Sequence, residues 1–128
     1  MAELITDKDE IKKIINEKIR GKKIILSDYY ELGIDKKGIQ HERVLNIFPQ
    51  FEKVIAIEKK ILKYGNIGYE LFYKLDNNIT FSIATCPDIN KIRFIHAIEC
   101  QEPKHAPEFI PRVLEHAQEL HFFISPLK

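Results

Sequence analysis

Histidine, tyrosine and basic side chains recur along the middle of this chain at spacings that could assemble a site. His41 and Arg43 stand two apart, Lys60 and Tyr64 four apart, Tyr69, Tyr73 and Lys74 within six residues, and Arg93 and His96 close the series. An imidazole or a phenol can transfer a proton, and a guanidinium or ammonium can hold an anion. Strand geometry sorts the candidates, because successive side chains alternate between faces. Arg93 and His96 therefore point to opposite faces unless a bulge intervenes, and at most one of them joins any single site. Each residue also has a plainer role to fill. Tyr69 and Tyr73 alternate with leucines, as half-buried sheet residues do, and His96 lies on an apolar strand face where histidines are usually hydrogen-bonded core residues. His41 and Arg43 flank Glu42 on a helix surface open to water.

Cys86, His96, Cys100 and His105 are all competent zinc ligands. Their spacing contains neither a C-x-x-C nor an H-x-x-x-H unit, and strand residues four apart lie roughly 13 Å apart, too far for one ion. His116 and His121 are five apart and do not share a helix face. There is no phosphate-cradling glycine-rich loop, no recognisable Ser-His-Asp context and no zincin motif. Neither a metal nor another cofactor is expected.

These side chains must be positioned by elements the sequence signals in turn. Thr6 is a credible N-cap with Asp9 three residues on, Ile11, Ile14, Ile15 and Ile19 form an apolar stripe, and Gly21 closes the helix. Lys23 to Ser27 reads as a short strand, and Asp28 to Gly33 as a bend. A second helix follows, with Ile39, Val44, Ile47 and Phe48 on one face and Pro49 as its stop. Beyond Pro49 the period changes to two. Strands are expected over 54–57 and 61–64, then 69–75 and 79–84, joined by the turns Gly65–Gly68 and Asp76–Asn78. Lys91 to Cys100 forms the last strand, with Ile92, Phe94, His96, Ile98 and Cys100 on one face. A polar link with two prolines leads to a final helix carrying Ile110, Val113, Leu114, Ala117 and Leu120, and the apolar tail Phe122-Phe123-Ile124 follows. The expected fold is one α+β domain over 1–128: a mostly antiparallel four- to five-stranded sheet packed by N-terminal helices and one C-terminal helix.

Composition narrows the class. The chain has 128 residues, 45% hydrophobic and 30% charged, with 20 basic against 19 acidic side chains and a net charge of +1. Such a balance argues against strong general affinity for nucleic acid. Charge is unevenly spread, at +3 over residues 1–63 and −2 over 64–128, and Lys22-Lys23, Lys36-Lys37 and Lys59-Lys60 could form a basic face. No apolar run approaches the roughly 20 residues of a membrane span, and MAELITDKDE turns polar too soon for a secretory leader. A cytoplasmic chain with two reduced thiols is expected.

The text IKKIINEKIRGKKIILSDYYELGIDKKGIQHERVLNIF, a helix, a lysine-rich approach to a strand ending in Ser27, a bend, the pair Gly38-Ile39 and a helix, is followed by the strands. Over roughly residues 10–100 this order resembles the RelE-like superfamily of small toxins, in the branch that includes BrnT, with MqsR more distant. Where that branch commonly carries a histidine soon after the serine, this chain has Asp28-Tyr29-Tyr30; where it commonly carries an arginine before Gly-Ile, it has Lys37. The resemblance implies a metal-independent RNA endonuclease neutralised by an antitoxin protein and acting on RNA or the ribosome, or a relative that has lost the activity. His41, Arg43, Tyr64, Tyr69 and Arg93 are then the candidate catalytic residues, the cations on phosphate and a Tyr or His in proton transfer. The rival expectation is a non-catalytic interaction module, homo-oligomeric through an exposed sheet edge and the apolar tail. A small-molecule-binding domain, with its pocket between sheet and final helix, has no residue-level support.

Overall fold

In the computed structural model, residues 2–76 and 78–101 are described, Gln101 by its main chain alone. Strand β1 (Ala2–Ile5) leads into helix α1 (Lys8–Ile14), which continues as a π-helical turn over Ile15–Ile19. Asp7, rather than Thr6, caps α1: its carboxylate accepts the Glu10 N–H at 2.9 Å. Then come β2 (Lys23–Leu26), α2 (Asp28–Lys37), α3 (His41–Ile47), a 3-10 turn over Phe51–Lys53, and β3 (Val54–Ile61), β4 (Ile67–Lys74), β5 (Ile79–Pro87) and β6 (Lys91–Gln101). The expected final helix and apolar tail lie outside the described residues.

The class is α+β, but the sheet departs from expectation. It has six strands in the order β1-β3-β4-β5-β6-β2 and is mixed, because β2 runs parallel to β6 while the other pairings are antiparallel. β1 is a four-residue edge strand with only Ile5 buried, and its partner β3 lies more than fifty residues away, so no local pattern announces it. The break expected at Glu58-Lys59-Lys60 does not occur; β3 is continuous to Ile61, with Ile55 the extra residue at a register shift.

The bend expected over Asp28–Gly33 is the first half of a helix. Ser27 Oγ accepts the Tyr30 N–H at 3.0 Å and itself donates to the Phe94 carbonyl at 3.1 Å, so one hydroxyl both starts α2 and fastens it to β6. Gly38, expected at the opening of the next helix, ends α2 in the left-handed region at φ 70°, where its N–H returns to the Asp35 carbonyl. Only Tyr30 and Ile34 of α2 are buried, whereas Leu32 is 61% exposed; the stripe is too thin to read as a helix.

A second register shift sits in β6. Ala84 pairs with His96 but Thr85 pairs with Phe94, leaving Ile95 as the extra residue. The alternation expected along β6 is therefore broken: Ile92 and Phe94 share the helix-covered face with Ala97 and Glu99, while His96, Ile98 and Cys100 turn to the other face with Arg93. The bulge that could unite Arg93 and His96 is present.

The three α-helices of the described residues lie on one face of the sheet. Their side chains Ile11, Ile15, Ile19, Tyr30, Ile34, Val44, Ile47 and Phe48 meet Ile57, Leu71, Tyr73, Phe81, Ile83, Ile92 and Phe94 of the sheet in a single core. Tyr73 is completely buried, and its hydroxyl is used: it donates to the Phe48 carbonyl at 2.7 Å, which ties the end of α3 to the central strand. The opposite face carries Ala56, Phe72 and Ile98 together with Glu58, Glu70, Ser82 and His96, all buried. No helix of the described residues is long and apolar enough to cross a membrane.

Ser27→Ala should lower unfolding stability by about 1 kcal/mol, through the lost cap and the lost link to Phe94. Ser27→Thr, which keeps both bonds, should recover most of it in urea titrations. An alanine variant as stable as the parent would contradict this assignment.

Candidate functional site

α2 lies along β6, and its polar residues reach that strand in sequence. At the first turn Tyr30 is fully buried, its ring edge-on to Phe94 with centroids 5.7 Å apart. At the last turn Lys37, an exposed residue, donates from Nζ to the Ala97 carbonyl at 3.1 Å. The Gly38 reversal then sets α3 beside α2, and α3 opens with His41. The Tyr30 hydroxyl is 2.9 Å from His41 Nδ1, and the two rings meet edge to face at 5.6 Å. Two residues on, Arg43 forms an ion pair with Glu99 of β6 and lies 5.5 Å from the Phe81 ring centroid. Ala97 and Glu99 share one face two residues apart, about 7 Å along the strand, so both cations arrive on the same short stretch of β6.

Electrostatics differ among these groups. Burial, with a smaller push from the Glu31 charge, raises the Tyr30 phenol to about 12, so this hydroxyl stays protonated throughout the ordinary range. Burial lowers the Lys37 ammonium, and the Glu70 carboxylate partly offsets the effect, which makes Lys37 a readier proton donor than a surface lysine. Arg43 is nearly half exposed beside Glu99, and a guanidinium has donors to spare after one carboxylate contact. His41 is half-buried. With Nδ1 engaged by Tyr30, its second ring nitrogen, Nε2, is the one left to meet a substrate, and the tautomer decides whether that atom gives or takes a proton.

The remaining candidates stand elsewhere. Tyr64 is in the β3–β4 turn and 83% exposed, within 5.5 Å of Lys63 Nζ. Tyr69 is on the helix-covered face of β4 but between Lys59 and Thr85, toward the β1 edge; burial, then the Glu3 charge, raises its phenol. Arg93 lies on the opposite face. Of the five candidate catalytic residues, His41 and Arg43 share one locality, and Tyr64, Tyr69 and Arg93 do not join it. Tyr73 serves the core, its phenol raised by burial.

On the opposite face Glu58 and Glu70 are cross-strand neighbours, and Glu70 Oε1 lies 3.9 Å from His96 Nε2. The void beside them is about 20 Å³, room for about one water and no substrate. Among the described residues no group of three or more His, Cys, Asp or Glu is placed to hold a metal ion, and neither Cys86 nor Cys100 forms a disulfide there. His105, His116 and His121 lie outside the described residues.

Sequence reasoning overlooked Tyr30, Lys37 and Glu99 as site groups. A helix over 28–37 would have put Tyr30 and Lys37, seven apart, on one face. Nothing local could have placed Glu99 under Arg43, because the Ile95 bulge decides it. Comparison with protein-family models, curated proteins and solved structures gave no match.

The Tyr30 shift carries a pH consequence. Above pH 10 the unfolded chain releases this phenolic proton while the folded chain keeps it until about 12, so stability falls as pH rises through that window. Tyr30→Phe should make the alkaline fall shallower in denaturant titrations between pH 9.5 and 11.5; an unchanged slope would refute the burial of that hydroxyl.

Proposed function

We propose that this chain is a RelE-like toxin-superfamily domain that cleaves single-stranded RNA without a metal ion. The observation that carries the reading is the 2.9 Å contact between the Tyr30 hydroxyl of α2 and His41 Nδ1 at the start of α3, with Lys37 four residues before His41 and Arg43 two after it, both anchored on β6. The residues that depart from the family pattern fit this reading. Tyr30 stands in the stretch where the branch commonly has its histidine, and it holds an imidazole supplied from α3 instead. Lys37 stands where the branch commonly has an arginine, and it too is a cation.

The chemistry follows from these groups. His41 donates Nδ1–H to the Tyr30 oxygen, and its Nε2 accepts the proton of a ribose 2′-hydroxyl. The 2′-oxygen attacks phosphorus, the bond from phosphorus to the 5′-oxygen breaks, and a 2′,3′-cyclic phosphate forms. Arg43 stabilises the charge that develops on the phosphoryl oxygens. The departing 5′-oxygen takes a proton from Lys37, whose partial burial eases its release.

A short RNA incubated with the protein in excess chelator, with and without ribosomes, should be cut to fragments ending in cyclic phosphate. His41→Ala should slow cleavage by at least about 100-fold, the scale of a lost general base. The same RNA bearing 2′-deoxyribose throughout should stay intact. No cleavage at micromolar protein under either condition, or undiminished cleavage by His41→Ala, would overturn the reading.

A further inference from the structure

A groove of about 570 Å³ lies between α1 with its π-helical turn and the segment from Pro49 to Val54. Its floor is apolar, formed by Ile11, Ile15 and Val54 with the half-buried Phe51 ring. Its rim is cationic, with Lys8, Lys12 and Arg20 against the single acid Glu52. Three cations to one anion is a strong local bias in a chain of net charge +1, and among the described residues none of the three belongs to an ion pair.

Arg20 is held in place. Its Nε donates to Asn16 Oδ1 at 3.1 Å, and its guanidinium carbon sits 4.9 Å from the Phe51 ring centroid. The π-helical turn makes this possible. Lys8, Lys12, Asn16 and Arg20 recur every four residues, a row that drifts around an α-helix by about 40° at each step. The wider turn, closed by the Arg20 N–H on the Ile15 carbonyl at 2.8 Å, takes back part of that drift and keeps Arg20 over the groove. The result is a planar cation held over an aromatic ring, with two exposed lysines alongside.

We propose that this groove is a binding subsite for one nucleotide unit of a single-stranded RNA, the base stacking on the Phe51–Arg20 pair and its phosphate on Lys8 and Lys12. Bases stack on aromatic rings and on guanidinium planes alike, and lysines hold the phosphate as point charges. An acidic peptide would satisfy the cations but would leave the flat Arg–Phe surface unused. The proposal rests on the RNA reading above and deepens it. α3, about 10 Å long, joins the two places: His41 begins it, and Phe48 at its end packs edge-on to Phe51 at 5.3 Å.

The test measures binding, not cleavage. A fluorescent 2′-O-methyl hexanucleotide, which cannot form the cyclic phosphate, is titrated with the full chain and followed by anisotropy. Arg20→Gln and Phe51→Leu should each weaken binding about tenfold, the scale of one lost stacking partner. Lys12→Gln should weaken it and reduce the salt slope by about 0.7, whereas Lys63→Gln, in the β3–β4 turn, should bind like the parent. If Phe51→Leu fails to fold, the exposed positions Arg20 and Lys12 decide the matter. Competition by adenosine monophosphate would identify a free nucleotide as sufficient; binding of the hexanucleotide alone would identify the strand. Failure of the parent to bind, or Arg20→Gln and Lys12→Gln binding as tightly as the parent, overturns the proposal, as does equal competition by oligoglutamate. Binding without cleavage would sink only the catalytic reading.

Discussion

One extra residue in β6 decides which side chains share a surface. A regular strand would place His96 beside Phe94, under the helices, and would send Ala97 and Glu99 to the other side. With Ile95 bulged out, Ala97 and Glu99 come under α2 and α3, where their carbonyl and carboxylate receive Lys37 and Arg43. The same shift moves a titratable imidazole next to Glu70 on the opposite face. Bulges are features that re-aim side chains, and this one separates two polar clusters that an unbroken register would have mixed.

The frame around that bulge is tied by a few long-range bonds. Ser27 links the start of α2 to Phe94, Tyr73 links the end of α3 to β4, and the rings of Tyr30, Phe48 and Phe94 meet edge-on between them. The hydroxyls of Ser27, Tyr30 and Tyr73 each have a defined partner, which is what makes this mixed polar and aromatic part of the core tolerable. Rigidity of this kind suits a site whose imidazole must be aimed by a neighbour: a phenol that stays protonated and immobile can orient His41 without competing for its proton.

Local chemistry in the sequence carried much of this. Alternation announced β4, β5 and β6, the isoleucine stripe announced α1, and Pro49 marked where helix gives way to strand. Two kinds of information were missing. Pairing between distant segments has no local signature, so the parallel alignment of β2 with β6 and the edge strand β1 were not visible. Some cues serve more than one kind of element: a glycine opens or ends a helix, and Gly38 ends α2; a serine ends a strand or caps a helix, and Ser27 caps α2 just past β2. For the candidate site, His41 and Arg43 were legible as residue types at a helix start. Their partners Tyr30 and Glu99 were not, because one depended on α2 and the other on the bulge.

The register of β6 is open to a direct measurement by proton NMR. Nuclear Overhauser contacts of the His96 ring should run to the Ala84 methyl and not to the Phe94 or Tyr30 rings, while the Ala97 methyl should contact the Ile83 side chain. Contacts from the His96 ring to Phe94 and Tyr30 would mean an unbroken strand, and the placement of Lys37 and Arg43 beside His41 would not survive it.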